Sequence, residues 1–296
     1  LQSRTDLFDG THPEVRDPGQ LSGLMRALDL LSRYYFRTEV TGLDLIPERS
    51  SLLVGQHIGG MYAPDMFMFF HAWYRRFGDD IPLYGLAHDV HFLNPLTREF
   101  LSRGGALRAK RQTALNVLAR PKNCVIVYPA GVRELLRPVH KRGKVDFCGH
   151  KGFIRLALEA QVPIIPTCSV GADTFLCLNE GEWLAKMLRV DRLLRMPIWP
   201  FMLSIPWGIT PGPVPHFPLP MQIRLSVGQP ISLPYGPEAA SDPRVVDTLY
   251  QEVQDTLQSQ RSRLTRVQAL RDPWIPALPT LRALRDQIGD LMHDLR

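Results

Sequence analysis

The residues best suited to chemistry lie in Gln56-His57-Ile58-Gly59-Gly60-Met61-Tyr62-Ala63-Pro64-Asp65, just past the apolar run Ser51 to Gly55. An imidazole titrates near neutral pH and can take or give a proton within one reaction. A carboxylate accepting from one ring nitrogen fixes the tautomer and leaves the other nitrogen to deprotonate an incoming hydroxyl. His57 with Asp65 can form such a pair, and Gly59 and Gly60 leave bare backbone beside it for a substrate. The same residues also describe an ordinary turn at His57, with Pro64 and Asp65 opening a helix.

Two further blocks carry charge. Val125-Ile126-Val127-Tyr128-Pro129-Ala130-Gly131-Val132-Arg133-Glu134 reads as a buried strand entering a Pro/Gly turn. Open α/β sheets bind ligands beyond the carboxyl ends of their strands, so Gly131 can offer backbone, Arg133 a phosphate contact and Glu134 an orienting acid. In Arg103-Gly104-Gly105-Ala106-Leu107-Arg108-Ala109-Lys110-Arg111, four cations surround a diglycine turn, which suits Arg103, Gly104, Gly105, Arg108 and Lys110 to a phosphate. The plain alternatives are a solvated Arg-Glu pair at a helix start and a solvated basic face. No Gly-x-Ser-x-Gly elbow occurs, since Thr167-Cys168-Ser169-Val170-Gly171 lacks the first glycine. His88 and His91 with Asp89 lack further ligand spacing, so no metal is expected.

These blocks need a scaffold, and the hydrophobic pattern supplies one. Strands are expected at Ser51 to Gly55, Leu83 to Ala87, Cys124 to Tyr128, Pro163 to Ser169 and Met221 to Val227. Helices are expected between them at Pro64 to Arg76, Asn94 to Ser102, Thr113 to Ala119 and Gly152 to Ala160. Such alternation predicts an α/β fold with a mainly parallel central sheet flanked by helices. Residues 1 to about 20 read as an extended arm, followed by a helix over Leu21 to Phe36. The proline-rich stretch from Met196 to Pro220 reads as a functional insertion. Asp242-Pro243 opens a C-terminal helix, and Leu281 to Leu295 forms a last amphipathic one.

The 296 residues carry a net charge of +6 and a pI near 9.3, which favours anionic surfaces. No zinc-finger spacing, aromatic RNP-like motif or long basic run accompanies that charge, so nucleic acid is not the expected partner. Cys124, Cys148, Cys168 and Cys177 have no paired or metal-like spacing and read as reduced thiols. Nothing resembles a signal peptide, although the chain opens at Leu1, which leaves room for a preceding segment. No window reaches the roughly 18 to 20 apolar residues of a spanning helix. Two segments can touch a bilayer: the helix from Leu21, whose apolar stripe equally suits core packing, and Ile198 to Trp207, which can dip into the lipid interface or line an acyl pocket.

The order of the blocks resembles the glycerolipid acyltransferases: a strand-end histidine followed by an aspartate, a glycine-and-basic block, a Pro-Gly turn with a cation, and Val162-Pro163-Ile164-Ile165-Pro166. Pro129 to Glu134, Lys151-Gly152-Phe153, Pro163 to Gly171 and Val227-Gly228-Gln229-Pro230-Ile231 look closest to the diacylglycerol acyltransferase type 2 branch and its bacterial relatives. The chain departs from the commonest pattern in two places. Seven residues separate His57 from Asp65 where the family usually has four, and Ala130 stands where the commoner turn has an acid. The resemblance implies a peripheral membrane enzyme on the cytoplasmic face that moves an acyl group from acyl-coenzyme A or an acyl-carrier protein to a lipid hydroxyl. No bound cofactor is implied. His57 would be the base, Asp65 or Glu134 its orienting acid, and the glycines and cations named above the substrate contacts. The acyltransferase domain would span residues 45–235, between an N-terminal arm and helix over 1–44 and a helical extension over 236–296. A thioesterase, or a non-catalytic lipid-binding protein of the same fold, are the rival readings.

Overall fold

The computed structural model describes residues 7–171, 175–204, 207–213 and 220–271. Its strands are β1 (Glu39–Thr41), β2 (Ser51–Gly55), β3 (Leu83–Ala87), β4 (Ala106–Arg108), β5 (Cys124–Val127), β6 (Ile164–Val170), β7 (Phe175–Cys177), β8 (Phe201–Ser204), β9 (Gly208–Pro211) and β10 (Arg224–Val227). The helices are α1 (Pro18–Leu30), α2 (Pro64–Phe77), α3 (Pro95–Arg103), α4 (Arg111–Leu118), α5 (Val132–Leu135), α6 (Gly152–Ala160), α7 (Glu182–Met187), α8 (Val190–Leu193) and α9 (Pro243–Arg271).

The central sheet runs β1-β10-β6-β2-β5-β3-β4. The five strands from β6 to β4 are parallel, β10 runs against β6, and β1 lies parallel to β10. Every residue of β2 and β6 is buried, as expected of strands covered on both faces. Side chains alternate between the two layers. Leu52, Val54, Val125 and Ile164 join α4, α6 and α9 in one core, whereas Leu53, Ile126 and Ile165 join α1 and α2 in the other. A second, antiparallel sheet, β7-β8-β9, has its own small core of Leu136, Phe175, Met196, Ile198 and Met202.

Local chemistry sets the helix ends. Pro64 occupies the first turn of α2, where its missing N–H costs nothing, and Gly78 ends the helix at φ 57°. The Asp242 carboxylate accepts from the Arg244 amide at 2.8 Å and opens α9. The five expected strands and four internal helices are all present, with ends displaced by at most three residues.

Three expectations are corrected or resolved. The stretch from residue 7 to residue 17 is not a loose arm: Phe8 and Pro13 are buried, and Asp17 N–H donates to the Arg103 carbonyl at 2.9 Å. Of the two readings of the first helix the core-packing one holds for Met25 and Leu28, which pack beside Phe69 and Trp73 with Leu24 and Tyr35 against them, while Leu31 stays 42% exposed. The basic block contributes a strand, β4, because Ala106 and Leu107 carry edge pairing with β3 whatever the charge around them. The helix expected at Leu281 to Leu295 lies outside the described residues.

Candidate active site

The register aligns Gly55 with Thr167 and Val54 with Val127, so β2 and β5 end within one residue of each other while β6 runs on to Val170. His57 follows β2 at this carboxyl edge and Tyr128 follows β5. Their rings stack with centroids 3.5 Å apart and planes 12° apart. Gly55 makes room for this. A Cβ there would sit 2.6 Å from the Tyr128 ring and 2.9 Å from the Thr167 hydroxyl.

The seven-residue spacing is absorbed by a tight loop. Gly59 and Gly60 have φ of 83° and 68°, Gly60–Tyr62 makes one 3-10 turn, and Ala63 takes φ 40° before Pro64 starts α2. The chain thereby doubles back and brings Asp65 Oδ2 to 3.5 Å from His57 Nδ1. Asp65 is fully buried, and its Oδ2 also accepts the Ile58 amide at 3.2 Å. The His57 side chain keeps 11% exposure, and its Nδ1 makes no hydrogen bond, the Asp65 contact being one of charge proximity. A long contact of this kind is usual where a substrate has yet to tighten the site.

Glu134 approaches from the other side. Gly131, at φ 50° and ψ −122°, bends the chain into α5 in a conformation that side chains disfavour. Glu134 Oε2 then accepts the His57 backbone N–H at 3.4 Å, and Oε1 lies 3.6 Å from Arg137. Burial pushes the Glu134 carboxyl up to about 8, and Asp65 adds to this, against Arg137, the His57 amide and Arg261, which lower it. Near neutral pH the group therefore keeps its proton. Burial, then the Asp65 and Glu134 carboxylates, raise the Tyr128 phenol, which stays neutral.

This makes the fold's pH dependence testable. The folded chain holds the Glu134 proton more tightly than the unfolded chain, whose ordinary value is 4.5. The stability it contributes is complete below that value and is lost as pH rises through about 8. Glu134→Gln, which cannot titrate, is expected to gain on the parent across this window. Thermal unfolding of both proteins against pH measures it, and parallel curves would refute the assignment.

The pocket before His57 is lined by Gln56, Glu134, Arg137, Arg142, Phe175 and Arg261 among others, and its free space of about 20 Å³ holds about one water. Arg261 reaches in from α9, 7% exposed, donating to the Ser169 carbonyl at 3.3 Å. Arg137 donates to the carbonyls of Lys144 and Asp146. The sequence reading missed Tyr128 as a ring partner, together with Arg137, Arg142, Phe175 and Arg261. Arg137 was legible as a cation three residues after Glu134, close enough along the chain to reach its carboxyl from just past the end of α5.

The structure brings together His57, Asp65, Glu134, Gly59 and Gly60, with Gly131 and Arg133 on the adjoining turn. Arg133 is ion-paired with Glu182 at 2.9 Å. Arg103, Gly104 and Gly105 are not gathered there. They enter β4 from its amino end, at the opposite edge of a parallel sheet, and Arg103 is taken up by Asp17 and Glu99, both at 3.0 Å. Gly105, at φ 88°, packs against the Leu83 carbonyl, where a Cβ would come within 3.2 Å. Arg108 leaves β4 at the carboxyl edge but donates to the Asp9 carbonyl at 3.0 Å and lies 3.7 Å from Asp89. Lys110 is exposed where α4 begins. Among the described residues no group of three or more His, Cys, Asp or Glu is placed to hold a metal, and no helix is long and apolar enough to cross a membrane. All four cysteines are free thiols, and burial pushes Cys124 and Cys168 up to about 12.

A histidine beside a buried aspartate stands at the carboxyl edge of a mainly parallel sheet, with a Pro-Ala-Gly turn next to it, an arrangement that can move a proton to or from a bound hydroxyl. Residues 37–170 match the family model described as Acyltransferase. An uncharacterized protein of Mycobacterium tuberculosis is 29% identical over 251 residues, 84% of this chain and 67% of its own length. Diacylglycerol O-acyltransferase 2 of Bos taurus is 26% identical over 156 residues, 49% of this chain and 41% of its own. The crystal structure of the 1-acyl-sn-glycerophosphate acyltransferase of Thermotoga maritima aligns with a TM-score of 0.46 and 16% identity, covering 81% of this chain and 79% of that one. Over residues 37–170 the chain is similar to the acyltransferase family, and over 156 residues to diacylglycerol O-acyltransferase 2. It spans about two thirds of the mycobacterial relative and less than half of the bovine one.

Proposed function

We propose that this protein transfers a fatty acyl group from an acyl thioester, carried by coenzyme A or an acyl-carrier protein, to the hydroxyl of a lipid acceptor such as a lysophospholipid or diacylglycerol. The observation that carries the reading is the His57–Asp65 contact at the open end of β2. Asp65 favours the tautomer with the proton on Nδ1, which leaves Nε2 to take the acceptor's proton as its oxygen attacks the thioester carbonyl. The tetrahedral intermediate collapses with cleavage of the C–S bond, and the imidazolium returns the proton to the departing thiolate. No enzyme nucleophile is needed. Backbone amides of the Gly59-Gly60 turn are the candidate oxyanion donors, and Arg137 and Arg261 place positive charge beside them. Gly131 supports the turn that presents Glu134, while Arg133, Arg108 and Lys110 are the candidate contacts for donor phosphates. In this reading the protein works at the cytoplasmic face of a membrane as a peripheral enzyme.

Thioester hydrolysis is the second reading, favoured by a pocket sized for one water. Incubation with a radiolabelled acyl-coenzyme A and mixed lipid acceptors separates the two. Label in a new acyl ester supports transfer, label released only as free acid supports hydrolysis, and label in neither points to a lipid-binding protein.

A further inference from the structure

The segment Lys186 to Arg195 places four cations and only one acid among large apolar residues that face water. On α7, Leu184 and Ala185 are buried and satisfy the inward side, yet Trp183 and Met187, four residues apart on one helical face, are 59% and 63% exposed. Leu193, on α8, is 74% exposed. Lys186, Arg189 and Arg192 lie exposed between them, without a carboxylate partner among the described residues. Single exposed apolar side chains are ordinary. Exposed tryptophan, methionine and leucine on two successive short helices, interspersed with unpaired cations, are not, and they match the composition of surfaces that sit in a lipid headgroup layer.

The two helices are fastened around the catalytic edge. Glu182 at the start of α7 pairs with Arg133, next to Glu134. Arg195 pairs with Asp89, in the turn after β3 that also exposes Leu93 at 68%, with Leu96 at the start of α3 exposed at 82%. Phe175, from the same small sheet, lines the pocket. A second copy of the chain is a poor occupant, because self-apposition would press these cations against their own equivalents.

We propose that α7 and α8 dock on an anionic phospholipid bilayer and hold the carboxyl edge of the sheet, with His57, at the lipid interface. The inference rests on the reading that the acceptor is a membrane lipid, and names the surface that brings the enzyme to it. Cations near an anionic leaflet are attracted to it, and apolar side chains buried in the headgroup layer add to that attraction.

The test is co-sedimentation of the full chain with phosphatidylcholine vesicles that contain or lack phosphatidylglycerol. The parent is expected to bind the anionic vesicles and to be released by high salt. Lys186→Glu/Arg189→Glu/Arg192→Glu and, separately, Met187→Ser/Leu193→Ser are expected to weaken binding at least tenfold. Both should keep the parent's circular dichroism and its activity on a short-chain acceptor in detergent. Unchanged vesicle binding by either variant overturns the proposal, as does a parent that fails to bind, or loss in the variants of self-association rather than of vesicle binding. His57→Ala separates the two claims. It should bind vesicles like the parent while transferring nothing, whereas full transfer in detergent by a parent that ignores vesicles would sink the docking surface alone.

Discussion

His57→Ala is expected to lower kcat for acyl transfer by about 10² to 10⁴, the range that a positioned general base supplies. The KM for the donor should change little, because the ring sits at the end of β2 and removing it leaves the cations around the pocket in place. The alanine variant should fold: the imidazole stacks on Tyr128 without filling the core, and neither core layer includes it. A readout beyond lost activity is available. The slot vacated between Tyr128 and Asp65 matches an imidazole, so added free imidazole should restore part of the rate. A variant with parental kcat would end the assignment of His57 as base.

Asp65→Asn should come next, with a fall in kcat of about 10² to 10⁴. The upper figure is the cost of the equivalent change in the Ser-His-Asp triad, where the amide selects the wrong tautomer. At 3.5 Å the pair is in charge contact without a hydrogen bond, and the lower figure corresponds to a contact that stays long. Asparagine preserves the shape, and its carbonyl oxygen can still accept the Ile58 amide, so the loop should survive. What vanishes is the negative charge behind the imidazolium. The measurement is kcat against KM on one acceptor, with circular dichroism to certify folding. A loss confined to KM would assign Asp65 to substrate binding.

The scaffold was largely legible because its strands are buried on both faces and so read as unbroken apolar runs, from Ser51-Leu52-Leu53-Val54-Gly55 to Ile164-Ile165-Pro166-Thr167-Cys168. Short edge strands escaped. β1 alternates exposed and half-buried residues, β4 lies inside a cationic block, and β8 and β9 lie among prolines, so period-two patterning was masked in each. The basic block misled because a charge count does not reveal which acids lie opposite: Asp17 is far away in sequence yet meets Arg103 directly. His57, Asp65 and Glu134 were readable from residue type and order. Their approach was not, because it depends on positive φ at Gly59, Gly60 and Ala63. Arg261 had no local signal at all, since an arginine on a long polar helix ordinarily points to solvent and this one is directed inward only by the packing of α9 on β6.

That packing has a consequence for biosynthesis. A ribosome releases a chain from its amino end, so a nascent protein that already displays the matched stretch 37–170 still lacks the guanidinium of Arg261. The cation supplied by Arg261 and the α9 side chains that close the core on β2, β5 and β6 therefore both reach the histidine's end of the sheet last.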